Sequence, residues 1–66
     1  MTPVQITISR SEWDRLGHDV HRGVYLIEQL RKAGVPVEGS IWPIAVTTGC
    51  LVHYSVGTDL VWSYTP

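Results

Sequence analysis

Only one stretch of this chain spaces its apolar residues with the period of a helix, and that stretch limits what the remainder can be. Trp13, Leu16, Val20, Val24, Ile27 and Leu30 follow one another at three- and four-residue steps, which gathers them into one stripe on a helical surface. Ser11 stands in the N-cap position, and Glu12 and Asp14 place negative charge beside the unpaired N–H groups of the first turn. At the far end Gly34 suits the closing position, Arg31 and Lys32 complement the negative helix end, and Pro36 prevents resumption. A single helix from Glu12 to Ala33 is predicted. Gly17 and Gly23 interrupt it, at roughly 1 kcal/mol each relative to alanine, and both lie on or beside the buried stripe.

The rest reads at period two. Val4, Ile6 and Ile8 alternate with Gln5, Thr7 and Ser9, as in a strand with one buried face. Beyond Gly39, three apolar runs, Ile41 to Val46, Cys50 to Val56 and Leu60 to Tyr64, are separated by Thr47-Thr48-Gly49 and Gly57-Thr58-Asp59, which predicts a three-stranded meander. The expected fold class is α+β with element order β-α-β-β-β: one long amphipathic helix packed on a small, mainly antiparallel sheet, residues 1–66 forming one domain.

Loop length sets which side chains share a face, because a slip of one residue turns a strand over. Three-residue loops place Val46 opposite Cys50, Ile44 opposite Val52 and Trp42 opposite Tyr54, then Val56 opposite Leu60, Tyr54 opposite Trp62 and Val52 opposite Tyr64. One face becomes wholly apolar, with Trp42, Tyr54 and Trp62 in a row across it. Gly17 and Gly23 then leave room on the helix for those rings. Pro43 cannot donate to a ladder, so its strand is expected at an edge or bulged.

A chain of 66 residues buries only about 60% of the surface its unfolded form exposes, so support from a disulfide, a metal or self-association would matter. Cys50 is the only cysteine, so no internal disulfide can form and nothing argues for an oxidising compartment. No apolar run approaches the length of a membrane span and no export-signal pattern is visible, so a cytoplasmic location is expected. The net charge of −1 supplies no field for a phosphate backbone, which disfavours sequence-independent nucleic-acid binding.

Catalytic signatures are missing. No GxSxG elbow, glycine-rich phosphate loop or CxxC occurs, so an enzyme is not expected and no cofactor is implied. Cys50 falls on the expected core face, where a thiol acts as a small hydrophobe. Asp14, His18 and His21 share the side of the predicted helix opposite the stripe; two histidines and a carboxylate suit zinc, but a solvated face with an Asp14–His18 ion pair accounts for them as well, and no metal is assigned.

That same face supplies the candidate partner- or ligand-binding residues His18, His21, Arg22, Tyr25 and Gln29, since Tyr and Arg are enriched where binding energy concentrates. The outer face of the meander carries Ile41, Ala45, Leu51, His53 and Val61 with Pro43, Ser55 and Ser63. It is too apolar for plain solvent, and is assigned as an oligomer interface, most simply of a homodimer formed through this face or by an edge strand joining its counterpart.

The segment from Leu30 to Gly39, a capped helix turning into a strand through Val35-Pro36, resembles openings of small accessory proteins of bacteriophages and mobile elements. The resemblance covers ten residues and implies a stoichiometric inhibitor that occludes a host defence or regulatory protein. The leading expectation is a non-catalytic binding module of that kind. An alternative is an oligomeric small-ligand binder that sequesters a nucleotide or signalling molecule, stacking the base on aromatic rings while His18, His21, Arg22 or His53 contacts phosphate. Sequence-specific nucleic-acid recognition ranks third and a metal-dependent enzyme fourth.

Overall fold

The computed structural model describes residues 3–66. It is an α+β fold whose elements run β1 (Val4–Ser9), α1 (Arg10–Leu16), α2 (Asp19–Lys32), β2 (Val37–Glu38), β3 (Ala45–Val46), β4 (Cys50–Val56) and β5 (Asp59–Thr65). A three-stranded antiparallel sheet has the order β1-β5-β4, and β2 pairs with β3 as a separate antiparallel ribbon.

The predicted single helix is two. Ser9, rather than Ser11, caps the first: its hydroxyl accepts the Glu12 N–H at 3.3 Å. Gly17 ends that helix at φ 70 and ψ −54, a strained γ-turn closed by the His18 N–H donating to the Leu16 carbonyl at 2.8 Å. His18 then stands extended, and its Nδ1 accepts the Val20 N–H at 3.1 Å, an imidazole in the place usually taken by Ser, Thr, Asp or Asn. Because α2 restarts with its own phase, the apolar stripe shifts: Gly23, Leu26, Ile27 and Leu30 are buried, whereas Val20 and Val24, expected inside, are exposed.

The sheet face toward α2 is set by the register. Val4, Ile6 and Ile8 of β1 stand opposite Tyr64, Trp62 and Leu60 of β5, which in turn stand opposite Leu51, His53 and Ser55 of β4. Ile27 and Leu30 pack with Tyr64, Val35 and Val37, while Leu26 packs with Ile8 and Trp62. Each such aliphatic chain contributes roughly 1.5–3 kcal/mol when fully buried. Tyr64 is wholly enclosed, and its hydroxyl donates to the Thr48 carbonyl at 3.0 Å.

Two expectations about the meander fail, and both turn on loops. The segment 41–46 is not a strand beside β4: only Ala45 and Val46 are extended, and they pair with Val37 and Glu38. The second hairpin closes through two residues, Gly57 and Thr58, with Val56 opposite Asp59. Gly57 has φ 59 and Thr58 does not have a positive φ, the pattern of a type II′ turn with glycine first. Compared with a three-residue loop this moves the pairing by one, so β4 is turned over. Cys50, Val52, Tyr54 and Val56 point away from α2, with Val52 48%, Tyr54 42% and Val56 56% exposed.

Gly23 does make room for a ring. A Cβ there would overlap the Ile41 carbonyl oxygen and lie 2.9 Å from Trp42 Cε3, so the 41–42 segment can seat on α2 only at a residue without a side chain. Gly17 plays no such part; a Cβ on it would meet only carbonyl oxygens of its own helix, at 3.9 Å and 4.0 Å.

Candidate functional site

All three tryptophans meet where the 41–44 segment crosses between α2 and the sheet. Trp42 stands edge-on to both Trp13, at 6.4 Å and 74°, and Trp62, at 6.1 Å and 71°. His53 stacks on the far side of Trp62. The Arg22 guanidinium closes the other end, 5.0 Å over the Trp13 ring, while its Nε–H donates to the Trp13 carbonyl at 3.1 Å. Of the row expected from the sequence, Trp42 and Trp62 touch, and Tyr54 lies on the opposite face, donated to by Gln5 Nε2 at 3.2 Å.

Beside this cluster lies a groove of about 630 Å³, lined by Trp42 to Val46 on one wall and by Gly49, Cys50, Leu51, His53 and Trp62 on the other. It exists because β3 pairs with β2 and leaves β4 alone, so the chain before Thr47 faces β4 across a gap. The volume is in the range of ordinary ligand and side-chain pockets. Neither wall carries a Lys, Arg, Asp or Glu. A smaller cleft of about 170 Å³ opens on the other side of Trp42, between Trp13, Tyr54, Leu60 and Trp62. Ile44, 80% exposed, projects at the groove's mouth.

The residues singled out on the helix are placed differently from expectation. His18 and His21 are exposed with their rings 5.7 Å apart, but His18 is committed to capping α2. Arg22 is held by Trp13 and by Asp14 and Asp19, each at 3.8 Å. Tyr25, expected outside, is half-buried against Ile8, Leu26 and Trp62, and Gln29 is half-buried as well. The break at Gly17 separates Asp14 from the histidines, and among the described residues no three His, Cys, Asp or Glu side chains gather as metal ligands.

The residues assigned to the outer meander face are divided. Leu51 and His53 look toward α2 and line the groove, Val61 is buried on the opposite face of the central strand, and Ile41 and Ala45 are exposed outside the sheet. Trp13, Trp42, Ile44 and Trp62 were not foreseen as a site. The signal that finds them is the two-residue Gly57-Thr58 turn, because the register it sets brings His53 rather than Tyr54 onto Trp62.

In comparisons with protein-family models, curated proteins and solved structures, nothing matches this chain. Among the described residues no helix is long and apolar enough to cross a membrane.

Proposed function

We propose that the chain is a non-catalytic binding module that holds a protein partner in the groove between β4 and the 42–46 segment, acting by occupying its partner's surface as an occluding inhibitor does. The observation that carries this reading is the groove itself: about 630 Å³, walled by Trp42, Trp62, Leu51 and Ile44, with no Lys, Arg, Asp or Glu in its lining. Binding energy at protein interfaces concentrates on aromatic anchors in desolvated pockets, and here the aromatic residues belong to the receiving side. An anionic ligand such as a nucleotide finds no Lys or Arg in the lining to answer its phosphate, which favours the protein partner.

The test compares capture by the native chain with capture by Ile44→Asp and Ala45→Arg, two groove residues exposed enough to leave the fold intact. The reading predicts a partner retained by the native chain and lost by both variants, whose melting temperatures stay unchanged. Equal capture by all three proteins contradicts it, and so does heat released by a nucleotide at this groove in calorimetry.

A further inference from the structure

The sheet has one open face, and its two edge strands treat that face differently. On β1 the residues pointing out are Gln5, Thr7 and Ser9; on β4 they are Cys50, Val52, Tyr54 and Val56. All seven of these residues are exposed. A polar row suits an edge that stays wet, and an apolar row on an unpaired edge suits one that does not. β4 also lacks the devices that keep edges apart, having no Lys, Arg, Asp, Glu or Pro from Cys50 to Val56.

We infer that the chain is a homodimer in which β4 pairs antiparallel with β4 of a second copy, joining two three-stranded sheets into one of six strands. An edge strand offers alternating N–H and C=O groups that only another extended backbone satisfies in full. β4 of a second copy meets the remaining demands. It carries no Lys, Arg, Asp or Glu along its whole length, so two copies bring no fixed like charges together. The register that uses all seven residues places the two-fold axis at His53. Val52 then stands opposite Tyr54 of the second copy, and Cys50 opposite Val56 of the second copy, so every cross-strand pair on the open face is apolar. An isologous contact of this kind closes on itself and stops at two copies. A stable interface takes roughly 800 Å² from each partner, about a fifth of the 4225 Å² this chain exposes.

Two measurements test the dimer without relying on the groove's partner. Sedimentation of the native protein across the micromolar range should show a dimer, and Val52→Lys with Val56→Lys should yield a folded monomer. A native protein that stays monomeric, or a double variant that stays dimeric, overturns the proposal. Val56→Cys, otherwise native, sets a new thiol against Cys50 of the second copy. Within one chain the two positions are six residues apart along an extended strand, roughly 20 Å, too far for an internal bridge. Mild oxidation with a copper reagent should convert the variant to a covalent dimer and leave the native chain largely unlinked. Equal crosslinking of the two proteins contradicts the register.

Discussion

His53 stacks on Trp62 with ring centroids 4.7 Å apart and planes inclined by 30°, although the apolar pattern of the sequence sets Tyr54 there. The stack follows from a hairpin loop of two residues, and it decides which face of β4 meets the core. Leu51 packs against the two core clusters while Val52 is 48% exposed. Leu51→Asp should therefore remove about 2–5 kcal/mol and leave this small domain largely unfolded at room temperature. Val52→Asp should cost little in a monomeric sample. Thermal melts followed by circular dichroism compare the two, and the reverse order is the outcome the register forbids.

Gly23→Ala is informative because two effects oppose each other. In an open helix the change gains about 1 kcal/mol. Here the added methyl overlaps the Ile41 carbonyl, and overpacking against backbone costs about 1–3 kcal/mol. The expected net is a loss, lowering Tm by roughly 4–8 °C for each kcal/mol. A raised Tm would mean that the 41–42 segment does not sit on α2.

Tyr64→Phe should cost about 1–2 kcal/mol. The side chain is fully buried and its hydroxyl donates to the Thr48 carbonyl at 3.0 Å, holding the loop from which β4 starts. Denaturant titration reads the loss directly. An unchanged midpoint would show that the Thr48 carbonyl has other partners.

Arg22→Lys should destabilise α1 against α2 by about 1 kcal/mol, since lysine keeps the charge but loses the Nε–H bond to the Trp13 carbonyl and the planar contact with its ring. The carboxylates of Asp14 and Asp19 lie at 3.8 Å and are largely exposed, so added salt should alter stability little. Strong salt sensitivity would shift the weight from the tryptophan contact to the ion pairs.

Much of the fold is legible in the residues. The alternation from Val4 to Ser9, the helix stop at Lys32, the two long strands after Gly49 and the meeting of Gly23 with Trp42 all follow from period, caps and size. The helix break is not legible from periodicity, because Trp13 and Leu16 continue the stripe across it; the sign of it is a glycine followed by a residue able to cap. The register is hidden for another reason. Leu60, Val61 and Trp62 are consecutive apolar residues in the central strand, and Val61 and Trp62 are both buried although they point to opposite faces, so alternation cannot choose between a two- and a three-residue loop. β4 misleads further, because its more apolar face, Cys50 to Val56 by twos, points away from the core. A local pattern that contradicts the fold tends to mark a functional surface, and the proposed dimer edge lies on this strand. The groove was out of reach from sequence because it depends on β3 pairing with β2.

The two-residue Gly57-Thr58 turn underlies both the groove and the open apolar row, and cross-strand backbone NOEs measure it most directly. The account predicts contacts joining His53 to Trp62 and Leu51 to Tyr64. Contacts joining Tyr54 to Trp62 and Val52 to Tyr64 would contradict it, returning the apolar row to the core and closing the site.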